Sequence, residues 1–136
     1  MSAASDYLEN KLLDHSLATT AFTAPSGVYV GLFTSDPTDA GTGTEVSGGS
    51  YARKAATFAA ASGGSASTNA TITFDTATAN WGTITHIGLW DASTGGNLLF
   101  HGAVTTSKTI ESGDTFQITS GPNNHTCLIE LWGCCL

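Results

Sequence analysis

The run WGTITHIGLWDASTGGNLLFHGAV, from Trp81 to Val104, constrains the chain more than any other stretch. Two β-rich segments, Thr83 to Trp90 and Asn97 to Val104, flank Asp91 to Gly96, where two adjacent glycines supply the positive φ values that a tight reversal needs. The pattern predicts a hairpin. In its second arm Leu98, Phe100, Gly102 and Val104 alternate with Leu99, His101 and Ala103; only His101 adds polarity, so this arm is expected to be buried on both sides. The first arm is less regular, because Ile84 and Trp90 share one parity while Ile87 and Leu89 share the other. That leaves a bulge near His86 and Ile87 or burial on both faces, and burial on both faces is the preferred reading.

The remaining segments extend the same pattern. Leu8, Leu12, Leu13 and Leu17 recur at helical spacing behind a Ser2 or Ser5 cap, which predicts a helix over 4–17 that covers one end or open face of the sheet, with docking of its Tyr7, Leu8 and Leu12 face on a neighbouring subunit as the alternative. Val28 to Thr34 carries large apolar groups on both faces and reads as a central strand. Ser35 to Ser50 is rich in Gly, Asp and Thr and predicts a long surface loop, a length that usually signals binding or mobility. Tyr51 to Phe58 is a plausible strand, Ala59 to Ala70 a flexible connection, and Thr71 to Asp75 a half-exposed strand with Ile72 and Phe74 inward. Ser107 to Ile118 reads as two short strands about the Glu111–Asp114 turn, and Thr126 to Trp132 as the last strand.

Seven or eight short strands after one helix, with no helices between strands, predict an all-β fold. The expected architecture is an antiparallel two-sheet β-sandwich with one N-terminal helix, as a single domain over 1–136. Charged residues make up only 11% of the chain, too few for a protein of long helices.

Charge and hydropathy remove several function classes. A net charge of −7 with no run of Lys or Arg argues against nucleic acid as a partner. No apolar run approaches the ~20 residues of a spanning helix, and the first residues do not resemble a signal peptide, so synthesis in a cytoplasm with no membrane partner is expected. Cys127, Cys134 and Cys135 lack zinc-ligand spacing and are read as free thiols, with intersubunit bonds as the alternative.

Chemistry-bearing motifs are sparse. The histidines His15, His86, His101 and His125 sit in no recognisable catalytic motif, and no nucleophile elbow or nucleotide-binding signature occurs. No catalytic residue, cofactor or metal ligand is therefore assigned. His86 and His101 lie in the two arms of one hairpin and meet if the register puts them on one face; hydrogen-bonded strand histidines are favoured there over a metal-bound pair. Asp36, Asp39 and Glu45 are oxygen donors without EF-hand spacing, and solvated turn carboxylates account for them equally well. Arg53 and Lys54 face opposite ways, and each is expected to form a salt bridge with a loop carboxylate.

Three segments, LFTSDPTDAGTGTEVSGGSYARKAATF, ITFDTATANWGTITHIGLWDASTGGNLLFHGAV and KTIESGDTFQI, resemble a family of small bacteriophage proteins commonly labelled tail fibre or minor virion proteins. The resemblance runs from about Tyr7 to Ile118 and implies a structural virion component without catalytic residues. Residues 119–136 form a divergent extension that holds Trp132 and all three cysteines.

Fibre shafts need repeats, heptads or intertwined strands, and none is visible. The leading expectation is therefore a capsid decoration or cement protein that binds across capsomer junctions, assembled into the virion in the host cytoplasm. Its partner would be the major capsid protein or tail proteins, and a homo-oligomer is expected, trimer first and dimer second. Tyr7, Leu8 and Leu12 on the helix and Leu128, Leu131, Trp132, Cys134, Cys135 and Leu136 at the end are the candidate interface. The alternatives are a small tail-fibre or baseplate subunit, and a carbohydrate-binding adhesin module using exposed aromatic faces.

Overall fold

The structure is a computed structural model that describes residues 2–64 and 66–120. The expected strand over 126–132 and the interface residues Leu128, Leu131, Trp132, Cys134, Cys135 and Leu136 lie outside the described residues. Among the described residues the chain is mostly β with one short helix, and the strands pair antiparallel in sheets of five and two.

In chain order the elements are β1 (Ser2–Ala4), α1 (Asp6–Leu17), β2 (Val28–Phe33), β3 (Lys54–Ala56), β4 (Ile72–Thr73), β5 (Gly82–Trp90), β6 (Leu98–Ile110) and β7 (Gln117–Ile118). The large sheet runs β1-β6-β5-β2-β3, and β4 pairs with β7. The β5–β6 hairpin forms as expected and supplies two of the three interior strands. The third is β2, paired on both sides as its two apolar faces require.

One face of the large sheet carries Val30, Leu32, Ile87 and Leu89, all buried with Ile72, Phe74, Trp81, Ile110, Phe116 and Ile118 in one cluster. Ile72 and Phe74 point inward, as their alternation predicts. Pairing in the hairpin is interrupted opposite Thr85, where the register slips between Ile84 and His86. The slip lets Ile84 and Ile87 enter the same core although they are three positions apart, which strict alternation forbids. An irregularity, rather than burial on both faces alone, therefore explains the first arm.

Three local expectations change. The helix begins at Asp6 and not at Ala4, because Ala4 pairs with Phe100 in β1 and the Ser5 backbone N–H donates to the Leu99 carbonyl. Ser5, nearly fully buried, caps the helix by accepting from the Leu8 N–H, and its hydroxyl donates to the Leu98 carbonyl. The flexible connection instead contains a reversal, with Phe58 bridged to Thr68 and the Ala59 N–H donating to the Ser67 carbonyl. Finally β6 continues past Val104 to Ile110, so the first of the two strands expected over 107–118 is the end of the hairpin arm.

Among the described residues no helix is long and apolar enough to cross a membrane.

Candidate functional site

The second face of the large sheet positions most of the polar chemistry. The register pairs Gly31 with Gly88, leaving a bare patch in the middle of two interior strands. A side chain at either position would force a neighbour to move. A Cβ at Gly31 would lie 2.9 Å from Glu45 Oε1, and one at Gly88 would lie 2.9 Å from Leu98 Cδ1 and 3.0 Å from Trp90 Nε1.

The loop after β2 folds back over this patch. Thr34 N–H donates to the Thr44 carbonyl, Val46 N–H to the Leu32 carbonyl, and Glu45 bridges Phe33, so the loop returns beside the strand it left. Pro37 and Val46 are buried at its two ends, Val46 in the core on the opposite face of the sheet. The expectation of a loop almost free of core residues thus holds for its tip and fails at its base.

Arg53 locks the arrangement. Its Nε donates to Glu45 Oε1 at 2.8 Å and its Nη2 to Glu45 Oε2 at 2.7 Å, a bidentate pair. Its Nη1 donates to the carbonyls of Ala92 and Gly95 in the β5–β6 turn. Phe33 stacks on Trp90 with ring centroids 6.3 Å apart, and the Arg53 guanidinium lies over the Trp90 ring. Trp90 Nε1 is buried without a hydrogen-bond partner, so the indole acts here by packing. Tyr51 completes the set: its hydroxyl donates to Glu45 Oε1 and accepts from the Leu32 N–H. Burial pushes the Tyr51 phenol far above its ordinary value, and the neighbouring Glu45 charge adds to the shift. The expected loop-carboxylate partner of Arg53 is Glu45, while Lys54, facing away, pairs with Asp75.

The two histidines of the hairpin do share a face. His86 is registered with Ala103 and His101 with Gly88, which makes them diagonal neighbours. The folded-back loop brings Asp36 and Asp39 to the same place. His101 Nε2 donates to Asp39 Oδ1 at 2.9 Å, since a carboxylate only accepts. His101 Nδ1 stands 3.4 Å from Asp36 Oδ1, and His86 Nε2 stands 3.9 Å from Asp36 Oδ2. His86 Nδ1 pairs with the Thr85 hydroxyl at 2.9 Å. The Asp39 carbonyl also accepts from the Asp6 N–H, tying the loop to the start of α1. As these groups stand, no three His, Cys, Asp or Glu side chains among the described residues are gathered closely enough to hold a metal ion. Glu45, a candidate oxygen donor by sequence, is engaged by Arg53 and Tyr51.

The helix turns its predicted interface residues toward its own sheet. Leu8 is buried with Ala4 and Leu99, and Tyr7 and Leu12 are half-buried against the same cluster. This packing follows from β1, which lays the entry to the helix along β6. The exposed large apolar groups among the described residues are Leu13, 42% exposed, and Leu17, 78% exposed, one turn apart on α1. Trp81 is buried and Trp90 is covered by Phe33 and Arg53, so neither offers a free aromatic face for stacking on a sugar.

The glycines were the signal that sequence reading missed. A glycine inside each of two adjacent apolar strands marks a place where another group approaches the backbone, here the Glu45 carboxylate and the Trp90 indole.

No curated protein matches the chain. A protein-family model described as podophage GP4 fiber I protein gp80 matches residues 3–125. Trp132 and the three cysteines lie outside the matched span. The matched span holds the helix, the Arg53 network, both hairpin histidines and every strand from β2 to β7, and the chain belongs to the podophage GP4 fiber I protein gp80 family.

Proposed function

We propose that this chain is a small structural subunit of a phage tail fibre, incorporated into the virion and acting through protein–protein contacts rather than catalysis. The observation that carries the reading is the fibre-family match over residues 3–125. It favours the fibre reading over capsid decoration. The structure is consistent with a structural role, because Arg53, Glu45, Tyr51 and Asp91 are spent on fixing loops.

The body is read as a two-layer sandwich, since Phe74, Phe116 and Ile118 from the small-sheet side share one core with Val30, Leu32 and Leu89 of the large sheet. A homo-oligomer, trimer before dimer, is proposed for assembly. The contacts proposed for it are the outer ridge of α1, with Leu13 and Leu17 beside half-buried Tyr7 and Leu12, together with Leu128, Leu131, Trp132, Cys134, Cys135 and Leu136. Leu8 contributes by fixing the helix from beneath.

Quantitative proteomics of purified particles, separated into heads and tails, tests the assignment. Co-purification with tails supports it, and recovery with tail-free heads overturns it.

A further inference from the structure

We propose that the outer ridge of α1 docks on the Val104 to Lys108 segment of β6 in a second copy of this chain, a head-to-tail contact that seats Lys108 among the carboxylates of the ridge. The inference rests on the homo-oligomer proposed above and names the two surfaces that meet in it. Leu13 and Leu17 stand one turn apart, 42% and 78% exposed, and exposed Asp6, Glu9 and Asp14 surround them. Among the described residues no ion pair engages those carboxylates. Two such ridges facing each other across a two-fold axis would set carboxylate against carboxylate, so a neighbour's own ridge is the wrong partner.

Elimination among the cations identifies the right one. The chain has 4 Lys and Arg residues. Arg53 is held by Glu45, Lys54 pairs with Asp75, and the Lys11 ammonium lies over the Tyr7 ring of its own helix. Lys108 remains, exposed and without an ion pair among the described residues. Its surroundings offer a surface to dock on. β1 covers β6 only from Phe100 to Gly102, so beyond Gly102 the outer edge of β6 has no strand beside it among the described residues. The register pairs His86 with Ala103 and Ile84 with Lys108, which leaves Val104 to Ser107 opposite the single residue Thr85. A bulge of this size bends the strand out of the sheet, and it presents half-buried Val104 with exposed Thr105 and Thr106 as apolar contact for the two leucines. The helix packs against Leu99, with Val28 and Phe100, at the end of the sheet near the β5–β6 turn, whereas Lys108 lies toward the other end. The two surfaces therefore meet between molecules, and a repeated contact of unlike surfaces closes into a ring, here the trimer, or runs on as a filament.

Analytical ultracentrifugation of the intact chain, with its cysteines kept reduced, tests the contact by charge reversal. The wild type is expected to associate, and added salt to weaken that association. Lys108→Glu changes an exposed side chain and leaves the fold in place, which circular dichroism verifies. It should raise the dissociation constant about tenfold or more, because it sets a further carboxylate against the ridge. Glu9→Lys with Asp14→Lys should do the same from the other side of the contact. Combining these reversals with Lys108→Glu in one chain should bring the dissociation constant back toward the wild-type value, which damage to the fold would not do. Association unchanged by Lys108→Glu, or lost there and not recovered in the combined variant, overturns the head-to-tail contact and leaves the homo-oligomer standing. A wild type that stays monomeric at every concentration overturns both.

Discussion

The guanidinium carbon of Arg53 lies 3.8 Å from the centroid of the Trp90 ring, while the same guanidinium holds Glu45 through two parallel hydrogen bonds. One side chain thereby joins the loop after β2, the β5–β6 turn and the sheet face between them. The Arg53 side chain is 8% exposed and that of Glu45 is 25% exposed, so removing either partner strands a charge with little water. Arg53→Ala should cost about 3 kcal/mol or more of unfolding free energy in urea denaturation. Arg53→Lys should recover only part of it, since an ammonium cannot bond in a bidentate fork or stack on the indole.

Tyr51 makes a pH-dependent contribution whose sign is set by burial. Its phenol is held protonated in the folded chain, well above the ordinary value of 10.0, whereas the unfolded chain ionises near that value. The folded state therefore binds the proton more tightly, and the stabilisation is complete below about pH 10 and is lost as pH rises beyond it. Alkaline denaturation curves should shift to higher pH in Tyr51→Phe relative to its own neutral-pH stability. At neutral pH the same variant should lose about 1–2 kcal/mol, because the Leu32 N–H and Glu45 each lose a partner.

Gly88 separates steric cost from backbone cost, since its backbone is ordinary and only the missing side chain matters. A methyl group there would meet Leu98 at 2.9 Å, Trp90 at 3.0 Å and Phe33 at 3.1 Å. Gly88→Ala should destabilise by about 1–3 kcal/mol, measured by thermal unfolding. The partner truncation Leu98→Ala in the Gly88→Ala background should cost less than it does alone, because it opens the space the methyl needs.

Ser5 couples the helix to the sheet through its cap to Leu8 and its bond to Leu98. Ser5→Ala should cost about 1 kcal/mol. Hydrogen exchange should quicken in the first turn of α1 while β2 and β5 keep their protection. Uniform loss of protection across the sheet would show that the helix is not a separable unit.

What was legible from the sequence was local. Alternation identified the β5–β6 arms, β2 and the inward Ile72 and Phe74, and serine placement narrowed the helix cap to Ser2 or Ser5, because each of these depends on neighbours in the chain. The three-residue β1 was not legible: Ser2 to Ala4 form a strand only because Phe100 to Gly102 lie beside them. The convergence of Asp39 with His101 spans 62 positions and depends on a loop whose polar composition suggested free solvent. The hairpin histidines were placed on one face by a register that the slip at Thr85 alters, which alternation alone cannot reveal. The helix was legible as an amphipathic stripe expected to cover its own sheet, and Leu8 does pack with Ala4 and Leu99.

The central claim is that the chain serves as a fibre component of a phage particle, and gold labelling of intact virions with an antibody against the folded chain tests it most directly. Label confined to the tail and its appendages is the predicted result. Label distributed over the head, or absent from purified virions, would contradict it.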